Sequence, residues 1–208
     1  MKLTKGKWLI ILGVVLVVLD QVIKILVKTN MPLGESIHVF GNWFQIYFIE
    51  NEGMAFGMKF GGLVGKFLLS LFRIGLFVAL VWWVSRLLKK PDVPTGVVVG
   101  LTLIAAGALG NIFDCFFYGL VFSESTPYTV ASFGGSYAPF MFGKVVDMFY
   151  FPIIDTTFPD WMPWIAGRPF KFFAPVFNFA DSCVTCGALY LLFFQYKFFA
   201  AEEKKEKH

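Results

Sequence analysis

Four apolar runs restrict this chain to one kind of fold. They cover Trp8–Val27, Leu63–Leu88, Val93–Tyr118 and Phe177–Phe199. Each is long enough, as a helix, to cross a hydrocarbon layer of about 30 Å. In lipid a backbone must satisfy its own polar groups, which helices do within one segment. Of the 208 residues, 57% are hydrophobic and 19% aromatic, more apolar than a soluble domain. The expected fold is an α-helical integral membrane protein, a single membrane domain over 1–208 with four transmembrane helices. The stretch "LLKKPDVPTG" between the second and third runs is charged and broken by proline, which makes a tight helical hairpin.

The N-terminus carries Lys2, Lys5 and Lys7 before its apolar run, as an export signal does. The run is too long for a signal-peptide core and no small-residue cleavage site follows. It also contains Asp20, Gln21 and Lys24, which a disposable leader does not need. Basic residues fix the expected orientation. Lys2, Lys5 and Lys7 precede the first run; Arg86, Lys89 and Lys90 lie between the second and third; Lys197, Lys204, Lys205 and Lys207 follow the fourth. With four crossings all three groups share one side, so both termini are expected in the cytoplasm. The net charge of +4 follows from this bias. The basic residues form no patch interleaved with aromatic stacking partners, so nucleic acid is not an expected partner.

Two segments then lie outside. Residues 29–62 contain "HVFGNWFQIYFIEN", rich in aromatic and β-branched residues and followed by glycine-rich punctuation. This composition predicts a small extracytoplasmic β-rich subdomain. Residues 119–176 are aromatic and proline-rich without a spanning run. Tyr150, Trp161 and Trp164 suit a membrane interface, and the segment is expected to run along it as strands, loops and a short amphipathic helix.

The polar groups inside the apolar runs are the candidates for function, because an embedded charge is costly. Given the orientation, Asp20 and Lys24 lie in the outer half of the first run, and Asn111 and Asp114 at the outer end of the third. Asn178 and Asp181 begin the fourth, and Asp147 precedes it in the apolar "KVVDMFYF". All are expected at one depth, near the outer leaflet. Asp20 and Lys24 have the spacing of a helical ion pair and read first as structural. Asp114, at a helix C-terminus where the dipole disfavours an anion, reads as an acceptor for loop backbone or for the first outer segment. Asp155 and Asp160 read as solvated loop residues, His38 as a surface or strand residue, His208 as terminal. Asp147 and Asp181 have no basic partner on a helix face, Lys144 being close to Asp147 in sequence only. Two such carboxylates can share one proton, giving one acid and one base around a water; the alternative is two separate interfacial aspartates. Cys115, Cys183 and Cys186 are odd in number and give no disulfide framework. Cys183-x-x-Cys186 fits metal or redox chemistry in principle, but no second ligand pair accompanies it, and small buried thiols are the simpler reading. Gly107, Ala108 and Gly110 allow close helix approach.

Five blocks resemble the signal peptidase II family. They are "DQVIK" at Asp20–Lys24, "NEGMAFG" at Asn51–Gly57, "GALGNIFD" at Gly107–Asp114, "KVVDMF" at Lys144–Phe149 and "FNFAD" at Phe177–Asp181. The resemblance implies an aspartic endopeptidase of the bacterial plasma (inner) membrane, working near its outer face. Its substrates would be diacylglyceryl-modified prolipoproteins, cut immediately before the lipidated cysteine. It implies Asp147 and Asp181 as the catalytic pair and Asn51, Gly53, Asn111 and Asn178 as substrate-binding residues. Asp20, Lys24 and Asp114 would support the bundle. It implies no cofactor and no metal, contact with membrane lipid, and inhibition by cyclic peptides such as globomycin.

The chain departs from the family pattern twice. Cys115 follows Asp114 where the family block has arginine. Extra residues lie between Asp114 and Asp181, and "SESTPYTVASFGGSYAPF" among them is expected to form an outer flap that narrows the way to the site. Two other readings fit intramembrane acids. An ion-coupled transporter would place them at the midplane, with internal repeats, and a non-catalytic assembly factor would tolerate their replacement by asparagine.

Overall fold

The computed structural model describes residues 4–52, 62–172 and 175–206. Helix α1 (Lys5–Asn30) starts at Thr4, whose side chain accepts the Lys7 amide, and stops at Met31, one residue before Pro32. Its buried residues toward the C-terminal end are Asp20, Lys24, Val27 and Lys28, which helical spacing puts on one stripe. Val14, Val18, Val22 and Leu26 are exposed. Helix α2 (Gly62–Leu87) buries Lys66, Ser70 and Leu87, while Leu63, Val64, Leu68 and Phe72 are exposed. Polar residues inside and apolar ones outside is the arrangement for a helix solvated by lipid.

Helix α3 (Thr95–Phe113) is the centre of the bundle and touches α1, α2 and α5 (Phe179–Phe194). It continues through a wide π turn at Asp114–Tyr118 into the short α4 (Gly119–Val121). Close contact with α5 rests on glycines. A Cβ on Gly187 would lie 2.7 Å from the Gly100 carbonyl oxygen, and one on Gly107 would collide with the Ala180 carbonyl.

Among the described residues three helices are long and apolar enough to cross a membrane: Lys5–Asn30, Gly62–Leu87 and Thr95–Val121. The fourth expected run, Phe177–Phe199, is divided. α5 is a shorter apolar helix, about 24 Å long at 1.5 Å per residue. Gln195 leaves helical geometry at φ −119°, ψ 5°, and α6 (Tyr196–Glu206) follows it.

The strands fulfil the expectation of a β-rich subdomain and add a pairing that joins the two outer segments. β1 (Ser36–Phe40) and β2 (Phe44–Asn51) form a hairpin. β2 pairs antiparallel with β3 (Val145–Tyr150), and β3 with β6 (Val176–Phe177), giving the order β1-β2-β3-β6. The register sets Ile49 opposite Asp147, Glu50 opposite Val146 and Asn51 opposite Val145. Alternation along the strands then puts Asn51 and Asp147 on one face and Phe48, Glu50, Val146 and Met148 on the other. The second face packs with Val27, Met31, Tyr118 and Phe122 as a core under the sheet. A second core at the opposite end of the bundle gathers Leu9, Leu87, Val97, Leu101 and Leu191.

β4 (Ile154–Thr157) and β5 (Pro169–Phe172) make a separate hairpin. Asp155, expected in a loop, is on β4, while Asp160 follows in the connection. Trp161 and Trp164 in that connection are exposed, as an interfacial role requires. No helix falls in the described residues between Phe122 and Val176, so the expected amphipathic helix is not formed there.

Candidate active site

Asn178 alone separates β6 from α5, and its environment organises the site. It is the N-cap of α5: its Oδ1 accepts the Asp181 amide at 2.9 Å. Asp181 returns the bond, its Oδ2 accepting the Asn178 amide at 3.3 Å. This reciprocal capping box fixes Asp181 in the first turn, where the helix dipole favours a carboxylate. The Asn178 Nδ2 donates to Asp147 Oδ1 at 2.7 Å and to Asn111 Oδ1 at 3.1 Å. Asn111 Nδ2 donates to Asp181 Oδ1 at 2.8 Å, and Asn51 Nδ2 to Asp147 Oδ2 at 3.3 Å. The three asparagines therefore hold two carboxylates brought from a strand and a helix. No ion pair involves Asp147 or Asp181 among the described residues.

Behind this layer sits one buried cation. Lys24 Nζ lies 2.9 Å from Asp20 Oδ2 and 2.9 Å from Asp114 Oδ2. It also donates to Asn111 Oδ1 at 2.8 Å. That bond and the Asn178 bond use the Asn111 carbonyl twice, which orients its amide nitrogen at Asp181. Asp114 accepts Gln21 Nε2 at 2.9 Å and the Val146 amide at 3.2 Å. Asp20 accepts the Ala180 amide at 2.9 Å. Each of the two acids thus clamps the backbone next to a candidate residue: Val146 beside Asp147, Ala180 beside Asp181. Asp114 is an acceptor, as expected, but its donors are not the expected loop backbone or first outer segment: they are the Val146 amide of β3 and the Gln21 and Lys24 side chains of α1.

Asp147 is 2% exposed. Burial, and next the charge of Asp181, push its carboxyl up to about 7, against the pull of the Asn178 and Asn51 amides. A carboxyl raised in this way can hold a proton near neutrality.

Asp20, Lys24, Asn51, Asn111, Asp114, Asp147, Asn178 and Asp181 thus meet in one hydrogen-bonded assembly. Gly53 and the remainder of "NEGMAFG" after Glu52 lie outside the described residues. His38 is exposed on β1, with Nδ1 3.1 Å from the Gly41 carbonyl. Cys115, Cys183 and Cys186 are free thiols. Where the family arginine would stand, Cys115 Sγ accepts a bond from Arg73 Nη1 of α2 at 3.3 Å.

Sequence reasoning missed Gln21, Lys28 and Glu50. A signal existed for the first two: Gln21, Lys24 and Lys28 share a helix face at the end of the run where positive charge is not expected. Lysines that break the orientation bias need buried partners. The flap expected over the site turns the other way. Phe122 and Ser125 meet the sheet face opposite Asp147, through Met148, Val146 and Glu50.

A profile of signal peptidase (SPase) II matches residues 12–197. A lipoprotein signal peptidase of Porphyromonas gingivalis is 48% identical over 193 residues, 92% of this chain and 84% of that protein. One of Amoebophilus asiaticus is 35% identical over 188 residues, 89% of this chain and 76% of that protein. A bacterial membrane enzyme solved by the in meso method is 25% identical, with a TM-score of 0.61, over 91% of this chain and 87% of that one. A second such structure is 26% identical, with a TM-score of 0.57, over 88% and 89%. With its five sequence blocks and the family profile running through nearly the whole chain, this protein belongs to the signal peptidase II family.

Proposed function

We propose that Asp147 and Asp181 are the catalytic pair with which this membrane aspartic protease cuts signal peptides from prolipoproteins. The observation that carries the reading is Asn178, which bonds Asp147 through its side chain and Asp181 through the helix cap. Asp181 acts as general base on a water; the water attacks the scissile carbonyl. Asp147 gives its proton to the carbonyl oxygen; as the tetrahedral intermediate collapses, the proton taken by Asp181 passes to the leaving amine and a hydroxyl of the gem-diol returns a proton to Asp147. Asn51 and Asn111, each with an amide directed at a carboxylate, hold the pair in register and can donate to substrate backbone.

The substrate is diacylglyceryl-modified and is cut immediately before the lipidated cysteine, its acyl chains lying against the apolar helix flanks. Cyclic peptides of the globomycin type compete for the same groove. α5 and α6 together complete a fourth crossing, leaving both termini in the cytoplasm and the site at the outer face of the bacterial plasma membrane.

Cleavage of a diacylglyceryl prolipoprotein by Asp147→Asn and Asp181→Asn tests the assignment. Both variants should fold and lose at least about a thousandfold in kcat, of the order that removing a general acid or base costs. Wild-type turnover in either one would remove that aspartate from the pair.

A further inference from the structure

A second buried polar cluster lies on the face of the sheet opposite the catalytic carboxylates. Lys28, in the last turn of α1, pairs with Glu50 of β2, and both side chains are at most 3% exposed. Ser125 completes the pair: its hydroxyl donates to Glu50 Oε1 at 2.8 Å and accepts from Lys28 Nζ at 2.8 Å. Lys144 Nζ lies 3.5 Å from the other Glu50 oxygen and 3.6 Å from Glu124. The Lys28 ammonium also sits 5.5 Å and 5.0 Å from the ring centres of Phe122 and Tyr137. The Tyr137 hydroxyl accepts the Lys144 amide at 2.8 Å. Phe122, Ser125 and Tyr137 belong to the segment that leaves the membrane after α4 and touches none of the described catalytic groups.

A buried ion pair is a poor source of stability, because desolvation offsets its attraction, and its use is in fixing geometry. Glu50 precedes Asn51, which donates to Asp147. Glu50 also stands opposite Val146, which precedes Asp147, and Lys144 immediately precedes the same strand. The cluster therefore grips, from behind, both strands that carry the Asn51–Asp147 bond. We propose that Glu50 is a positioning residue for Asp147, held by Lys28 and Ser125, so that the 122–137 segment acts on catalysis without touching the reacting atoms. This rests on the catalytic pair proposed above.

Removing a charge from the pair risks misfolding, so the test uses Ser125. The Ser125→Ala enzyme, Ser125→Thr, and Asp147→Asn are assayed in detergent on a diacylglyceryl-modified prolipoprotein peptide across pH. A loosened Asn51–Asp147 bond should lower kcat about three- to tenfold, the factor for one hydrogen bond, with KM little changed. It should also move the alkaline limb of the profile upward, since the Asn51 amide favours ionised Asp147. Ser125→Thr, which keeps a hydroxyl, should restore both. Wild-type kcat and pH profile in Ser125→Ala, with Asp147→Asn inactive, would overturn the inference and leave the catalytic pair standing. A fall in kcat with no movement of the limb, or no recovery in Ser125→Thr, would overturn it too. Full activity in Asp147→Asn would instead remove the reading on which it rests.

Discussion

At the scale of the residue, Asn51 shows how a neutral side chain sets an acid's range. It donates to Asp147 Oδ2 from the neighbouring strand, on the same face. Burial and Asp181 raise the Asp147 carboxyl to about 7, so it keeps its proton up to neutrality and loses it above. An enzyme that needs that proton should lose activity as pH climbs through about 7. An amide donor favours the ionised form, so Asn51→Ala should raise the Asp147 pKa further. The alkaline limb of kcat/KM should then move to higher pH in Asn51→Ala, while kcat at its optimum falls. A limb unmoved in that variant would separate Asn51 from the titration. Asp147 and Asp181 were legible in the sequence because acids in apolar runs are conspicuous. Lys24 was legible as a helical partner of Asp20. Its bond to Asn111 was not, because it joins residues 87 apart in sequence and no local pattern encodes such a meeting.

At the scale of the element, the site depends on how closely α3 and α5 approach. Asn111 must reach Asp181 from one helix to the other, and the glycines set that separation. At Gly107 a methyl group would meet the Ala180 carbonyl, and at Gly110 it would come 2.5 Å from Asp20 Oδ2. Backbone carbonyls cannot move aside as a flexible side chain can. Gly107→Ala should therefore part the helices, costing about 1–3 kcal/mol of stability as overpacking does. Thermal unfolding in detergent should show a lower Tm, with activity reduced even below the transition. An unchanged Tm would mean that the helices are not in contact there. The small residues on α3 were visible in the sequence, but their partner helix was not. The sheet shows the same limit: strand-like composition was evident in "HVFGNWFQIYFIEN", whereas its pairing with Val145–Tyr150 crosses two helices and has no signature in either strand.

At the scale of the whole molecule, the charges at the helix ends set the expected orientation. Single cysteines introduced on a background lacking Cys115, Cys183 and Cys186 would test it. Positions at Thr4 and Ala201, the latter past the apolar part of α6, should react with an impermeant maleimide only after the membrane is opened, and Trp164 in intact spheroplasts. Labelling of Thr4 and Ala201 from opposite sides would show that α5 with α6 does not complete a crossing. Hydropathy placed the first three runs within three residues of the ends of the helices Lys5–Asn30, Gly62–Leu87 and Thr95–Val121. It gave no sign of the break at Gln195, which divides the fourth run into α5 and α6. The strand-to-helix junction at Asn178 also bears on how such a chain can diverge. One residue lies between β6 and α5, and it belongs to both the cap and the Asp147 bond. An added residue there would turn the helix by about 100° relative to the strand. Added length is therefore tolerable in the 158–168 connection of the β4–β5 hairpin, and forbidden at this single joint.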